Sequence, residues 1–470
     1  MSDKRSTRRE FLGTNAAVAA GVASAASANA ARTVKTKPKT STRVIGANDR
    51  INVGFIGCGM QFYGLLDRGF DKRKKAVGDF EYSAVCDVWD PRLEAGQKRT
   101  GAEKTYRDYR EVLARPDIDG VVIAVPDHWH YPMASEALLA GKDVYLEKPM
   151  TYTIEEAAKL NDLVGETKRV LQVGGTGPST TLYWKLNEYL KAGKIGKVLW
   201  GLISYNRNTR TGMWDYPIPG VGDDSWPNAA VKPGENLDWK MWLGNAKKRP
   251  FSADRYFRWR KYWDYSGGNA TDLLYHRLGV MSTIIGFDYP VRASGMGGIY
   301  VQKNREVPDV YMTMVEYPGD YSINMISCMA NQQSVPLTVY GNWGTLEVLE
   351  GRALMSAMGD LRGAGGQRPR QAAVIRAERA FEKEFKEANG GQTEVKITAD
   401  EGKDLADDWL ECMRTRGVPV YNVTRGYQVM VAIKMGVESY KAGRMMAFDP
   451  ERKRMLPAVP PHKEYLPADA

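Results

Sequence analysis

The stretch that most constrains this chain is Asn52-Val-Gly-Phe-Ile56 running directly into Gly57-Cys58-Gly59. A short apolar run followed by two closely spaced glycines predicts a strand, a tight turn and a helix from about Met60 to Gly69. Such a turn brings backbone close to a pyrophosphate and aims helix N–H groups at it, so Gly57, Cys58, Gly59, Met60 and Gln61 are candidate cofactor contacts. The next strand, Tyr82-Ser-Ala-Val-Cys86, ends at Asp87. A carboxylate there can accept hydrogen bonds from ribose hydroxyls and repels a 2′-phosphate, which favours NAD; Arg92 nearby keeps NADP open. The third glycine of such a fingerprint should fall at position 62, which is Phe62, with Gly64 nearest. That departure bears on helix–strand packing more than on phosphate contact.

Asp119-Gly-Val-Val-Ile-Ala-Val125 has the continuous β-branched character of a central parallel strand. It stops at Pro126-Asp127-His128-Trp129-His130; a helix from Met133 to Ala140 follows, then the strand Asp143-Val-Tyr-Leu146 and the turn Glu147-Lys148-Pro149. Ligands of open parallel sheets lie beyond the strand C-terminal ends, so Pro126, His128, Trp129, His130, Glu147 and Lys148 should face the cofactor.

The remaining bounds are broad. A length of 470 residues suggests two or three domains, and 43% hydrophobic with 26% charged residues excludes a disordered or fibrous chain. The cysteines at 58, 86, 328 and 412 fit neither a disulfide framework nor a zinc pattern, and no His/Asp/Glu cluster has metal spacing. A net charge of +10 is a mild surplus without the basic stripe that nucleic-acid binding needs. No segment reads as a membrane span.

Residues 1–30 read as an export signal: Arg8-Arg9-Glu10-Phe11-Leu12, an Ala-rich stretch from Ala16, and a small-residue cleavage site at Ala28-Asn29-Ala30. This twin-arginine (Tat) pattern predicts a periplasmic or otherwise exported protein, a partner in the Tat machinery, and a cofactor loaded before export. Residues 31–48 read as a flexible leader.

From about 170 the character changes. Thr180–Ala192 predicts an amphipathic helix, and Gly196–Ser204, Asp309–Tyr317, Tyr321–Met329 and Gln333–Gly341 predict strands. Further helices are expected over Ala372–Asn389, Gly402–Arg416 and Gly426–Ala442. In Gly267-Gly-Asn-Ala-Thr-Asp272-Leu-Leu-Tyr-His276, the four-residue spacing puts Asp272 and His276 on one helix face, where they can hold a hydroxyl and relay its proton. Seven of the twelve tryptophans fall between Trp200 and Trp263. Rings such as Trp214, Trp226, Trp242 and Trp259 can stack on sugars, with Asn206, Arg260 and Tyr275 as polar neighbours, or they can form core and subunit interface.

Taken with Gly-Cys-Gly, Cys-Asp-Val, Pro-Asp-His-Trp-His, Glu-Lys-Pro and Asp-x-x-x-His, residues 50–450 resemble the Gfo/Idh/MocA oxidoreductases, named for glucose–fructose oxidoreductase and inositol dehydrogenase. The resemblance implies an α/β N-terminal Rossmann domain (49–170), then an α+β C-terminal domain (171–450) with an open-faced, mostly antiparallel sheet, and a tail over 451–470. It implies NAD (NADP possible), which export after loading requires to be tightly bound, a catalytic Lys148 facing Asp272 and His276, a carbohydrate substrate, and a homo-oligomer, dimer or tetramer, formed through that sheet. Its expected activity is sugar oxidation by hydride transfer. A redox-neutral glycoside hydrolase working by transient oxidation is the alternative, and a non-catalytic carbohydrate-binding protein a third class.

Overall fold

The computed structural model describes residues 46, 49–175, 177–219, 227, 229–349, 371–399 and 402–456. The expected signal, nearly all of the leader, Trp226 and the tail beyond 456 lie outside the described residues.

Six parallel strands form the first sheet: β1 (Ile51–Ile56), β2 (Phe80–Cys86), β3 (Lys104–Tyr106), β4 (Gly120–Ile123), β5 (Asp143–Leu146) and β6 (Leu171–Val173). Their order, β3-β2-β1-β4-β5-β6, is that of a Rossmann fold and reverses direction between β1 and β4, where a crevice opens at the strand ends. Every residue of β4 and β5 is buried, as their β-branched and aromatic runs require. Because β6 belongs to this sheet, it extends past residue 170. The expected helix after the glycine turn forms over Met60–Leu65, then continues through a wider turn, Leu66–Phe70, into Asp71–Ala76. Phe62 is fully buried with its ring edge-on to Phe55, 5.6 Å between centroids, so an aromatic side chain packs the helix onto β1 where a fingerprint glycine would have allowed closer approach. A helix from far down the chain, Leu405–Thr415, completes this half: Trp409 meets Phe70 and Tyr145 edge-on at 6.2 and 6.0 Å.

The second sheet has ten strands: β7 (Val198–Ser204), β8 (Arg292–Gly298), β9 (Val310–Tyr317), β10 (Tyr321–Cys328), β11 (Leu337–Gly341), β12 (Gly344–Leu349), β13 (Gln371–Ala377), β14 (Glu394–Ala399), β15 (Met446–Asp449) and β16 (Arg454–Leu456). All neighbours are antiparallel except β7 and β10. The helices Thr181–Lys191, Tyr275–Ile285 and Val423–Ala442 pack on this sheet. Along β9, Tyr311, Thr313 and Val315 are buried while Met312 and Met314 are about half exposed, the period-2 signature of one covered and one open face.

One expected element is corrected. Ala372–Asn389 is not a single charged helix: Gln371–Ala377 is strand β13, and helix is confined to a 3-10 turn, Arg379–Phe381, and the α-helix Glu382–Ala388. Ala372, Ala373, Val374 and Ile375 are buried in pairing with β12 and β14, so tertiary pairing overrides the helical charge pattern that follows them.

Candidate functional site

The crevice at the ends of β1, β2, β4 and β5 is an open cleft. Gly57, Gly59, Met60, Gln61, Asp87, Pro126, Trp129, Glu147 and Lys148 line it, all expected from sequence. Gly57 has φ +92°, and a Cβ there would lie 2.4 Å from the Ala124 carbonyl oxygen, so only glycine fits the turn. Gly59 caps the following helix with no side-chain acceptor, and its first turn holds no acid; the Phe62 N–H donates to the Gly59 carbonyl at 3.0 Å, and the N–H groups of Met60 and Gln61 are those placed for a phosphate. The Asp87 carboxylate accepts from the Cys58 N–H at 2.8 Å and the Trp89 N–H at 3.0 Å. It thereby ties the glycine turn to the end of β2 while remaining on the cleft wall. A dinucleotide fits this donor set and shape.

Cys58, His128 and His130 do not line the cleft. The Cys58 side chain is fully buried against β2, and all four cysteines are free thiols. His130 sits between the carbonyl oxygens of Pro149 and Val125, joining the Glu-Lys-Pro turn to the end of the β4 segment. His128 lies 3.1 Å from the Trp242 carbonyl oxygen, and burial pushes its imidazole down to about 4.

The opposite wall comes from the aromatic segment. Leu237 bridges to Trp89, the Asp238 N–H donates to the Val88 carbonyl at 3.0 Å, and the Trp129 indole N–H donates to the Trp242 carbonyl at 2.7 Å. Met241, Trp242, Tyr256 and Phe257 therefore wall the cleft, a role the sequence reading missed. Arg92 lies 5.5 Å from the ring centres of Trp89, Tyr256 and Phe257. Trp214 is buried in a separate cluster, and Trp200 stacks on Tyr340 at 3.8 Å within the second sheet. Among the tryptophans expected near a sugar, Trp242 and Trp259 reach the cleft.

At the Lys148 end the reactive groups converge. The peptide bond from Lys148 to Pro149 is cis. Lys148 Nζ donates to Asp272 Oδ1 and to the Asp272 carbonyl, both at 2.9 Å, and Arg260 Nε donates to the same Oδ1 at 2.9 Å. Burial alone would raise the Asp272 carboxyl, but the Arg260 and Lys148 cations outweigh it and hold the group well below the usual carboxylate range. Asp272 lies in a wide helical turn, Ala270–Leu274, that leads into the helix carrying His276. His276 is pushed well below its ordinary value, first by burial and then by Lys148, so its imidazole is neutral; among the described residues its Nδ1 has no partner. A Cβ on Gly175 would lie 3.8 Å from that nitrogen and 3.9 Å from Lys148 Cγ, so this glycine leaves the space beside both groups open.

Two expected substrate contacts are corrected. Tyr275 is fully buried and donates to the Gly426 carbonyl at 3.1 Å, which turns it into the core. Asn206 spends its amide on the backbone of Cys328 and Gln333, fastening strand ends. Asp127, passed over in the sequence, is buried beside the cluster and accepts from the Thr271 hydroxyl at 3.0 Å. Among the described residues no group of three or more His, Cys, Asp or Glu side chains could hold a metal, and no helix is long and apolar enough to cross a membrane.

Comparison with known proteins agrees with this arrangement. Residues 51–175 match the family model for the "Oxidoreductase family, NAD-binding Rossmann fold", and 186–295 and 241–448 match its two "C-terminal alpha/beta domain" models. This chain is built of Gfo/Idh/MocA oxidoreductase domains. A "Glycosyl hydrolase family 109 protein 2" of Shewanella sp. strain ANA-3 is 31% identical over 304 residues, 56% of this chain and 64% of that relative. The match thus spans under two thirds of the relative's length. An "Alpha-N-acetylgalactosaminidase" of Shewanella oneidensis is 31% identical over 313 residues, covering 57% of this chain and 66% of that one. The WlbA dehydrogenase of Chromobacterium violaceum, crystallised with NADH and UDP-GlcNAcA, superposes with a TM-score of 0.60 at 18% identity, covering 87% of this chain and 99% of that one. The last likeness is one of fold: a Gfo/Idh/MocA Rossmann domain carrying an α+β domain with a mostly antiparallel sheet.

Proposed function

We propose that this protein oxidises a carbinol carbon of a carbohydrate with NAD held in the cleft. The observation that carries the reading is the meeting of Lys148, Asp272, Arg260 and neutral His276 at one end of a dinucleotide-shaped crevice. NAD, when bound, supplies the hydride acceptor. Lys148 commits two N–H groups to Asp272, so one position on Nζ remains: in the neutral amine it is the lone pair that takes the hydroxyl proton, and in the ammonium so formed it is the N–H that holds the resulting oxygen. His276, with Nδ1 unpartnered, is placed to relay that proton. Arg260 fixes Asp272 from the other side and keeps it ionised.

The relatives' names favour a second reading of the same site. There the hydride taken from the sugar returns to it after the glycosidic leaving group is eliminated and water adds, so no net oxidation occurs. Both readings share the first step and the retained nucleotide. The Arg8-Arg9-Glu-Phe-Leu segment supports export with the cofactor already in place, where a redox-neutral cycle removes the need for free nucleotide. The test is direct. Denatured protein should release NAD(H), and assays with free sugars, sugar pairs and aryl glycosides separate net oxidation, exchange and cleavage. Lys148→Ala should lower turnover at least ~100-fold in whichever assay is positive, with nucleotide still bound; full turnover would remove Lys148 from the mechanism.

A further inference from the structure

Asp127 follows the end of β4, in a short turn formed by Asp127–Trp129, and its side chain is buried. It is not on the cleft wall, and the residue, only 2% exposed, has its carboxylate engaged by a neighbouring side chain. Its partner is Thr271, the residue before Asp272. The Thr271 hydroxyl accepts from the Gly267 N–H at 3.0 Å and donates to Asp127 Oδ2 at 3.0 Å, with the Gly268 carbonyl a longer second acceptor at 3.4 Å, so the chain runs Gly267–Thr271–Asp127 along its shorter bonds. Holding Thr271 holds the wide turn Ala270–Leu274, and with it both Asp272 oxygens that Lys148 grips.

Charge supplies a second argument. Two cations, Lys148 and Arg260, share one carboxylate oxygen of Asp272 in buried surroundings. One carboxylate cannot balance two cations, and uncompensated charge away from water is costly. Asp127 is a further buried carboxylate, and both cations favour its ionised form. On the proposed assignment of Lys148 and Asp272, we infer that Asp127 is the positioning residue of this site: through Thr271 it sets the Lys148–Asp272 contact, and its ionised carboxylate balances the second cation.

The groups facing Asp127 are Asp272 and Thr271 on the wide turn, Lys148 after β5, Arg260, and Tyr152 beyond the Glu-Lys-Pro turn. Burial and the Asp272 charge push its carboxyl up to about 6, against the pull of Arg260 and Lys148. Asp127 is therefore ionised above about pH 6 and neutral below, and turnover should fall on the acid side as the balance is lost.

Five proteins test this: the parent, Asp127→Asn, Asp127→Ala, Thr271→Val and the double variant Asp127→Ala with Thr271→Val. In crystal structures, a readout independent of turnover, the Lys148–Asp272 contact should lengthen beyond hydrogen-bond distance in Asp127→Ala and Thr271→Val. In kinetics, each of these two should lower kcat by about tenfold or more, with the double variant no worse than the single ones, as members of one chain behave. Asp127→Asn, which keeps an acceptor for Thr271, should retain more kcat than Asp127→Ala at pH 8 and lose the acid limb near pH 6. Affinity for NADH should stay within about threefold throughout. An unchanged Lys148–Asp272 contact, multiplying effects of the two substitutions, or a limb near pH 6 kept unshifted by Asp127→Asn overturns the inference. Failure of the sugar-oxidation reading shows elsewhere, as a parent that turns over no carbohydrate, and leaves the crystallographic outcome to decide the positioning role.

Discussion

At the scale of single residues, the histidines show how far identity stands from role. His128, His130 and His276 are all held low by burial, and both His128 and His276 keep an Nδ1 without a described partner, yet only His276 stands on the helix that follows Asp272. His128 instead serves stability, and the sign follows from its lowered value. Unfolded, it binds a proton as pH falls through about 6.5; folded, only near 4, so its contribution is complete above 6.5 and lost between 6.5 and 4. Roughly 2.5 pH units correspond to about 3 kcal/mol at the acid end of that window. His128→Asn should accordingly flatten the fall of Tm with decreasing pH over that range in scanning calorimetry, with the remaining slope owed partly to His276; a slope equal to the parent's would refute this. Gly57 and Lys148 were legible in the sequence because turn geometry and a contiguous motif announce them. The Asp127–Thr271 contact was not, since it spans 144 positions and neither residue belongs to a periodic pattern.

At the scale of elements, the Rossmann half was readable because each strand, turn and helix is contiguous and its pattern local. The aromatic segment was ambiguous for the opposite reason: its rings have no period, and their partners lie far away. The structure resolves much of it into a wall over the nucleotide cleft, with Trp239 stacked on Trp242 at 4.8 Å and Trp242 against Tyr256 and Tyr265. Trp242→Ala would leave a cavity costing about 3–5 kcal/mol of local packing and loosen the Trp129 tie. Nucleotide release, followed by NADH fluorescence in stopped flow, should then accelerate at least ~10-fold, because local opening becomes easier; an unchanged rate would show that the segment does not retain the cofactor. Strand β13 was missed because charges at helical spacing downstream outweighed four small or β-branched residues, whose fate depends on β12 and β14 being there to pair with them.

At the scale of the whole molecule, the second sheet leaves one face open. Met312 and Met314 on β9, Met296 on β8 and Leu199 on β7 are 40–75% exposed, and apolar exposure on this scale marks an interaction surface. If a second copy covers it, Met296→Glu with Met312→Glu should shift the protein to a monomer in light-scattering chromatography; a monomeric parent, or an unshifted variant, would discard the idea. The sequence alone sufficed for what neighbouring residues dictate: a parallel dinucleotide-binding sheet, its glycine turn, the Glu-Lys-Pro turn and the Asp-x-x-x-His spacing. Tertiary structure alone decided that Lys148 meets Asp272 across 124 positions, that Arg260 shares the same oxygen, and that the aromatic segment walls the cleft. It alone turned Tyr275 inward and left His276 neutral. The division has a physical cause. Backbone propensity and periodicity act over a few residues and are written in order along the chain, whereas burial and charge coupling depend on which distant groups share a volume from which water has been excluded.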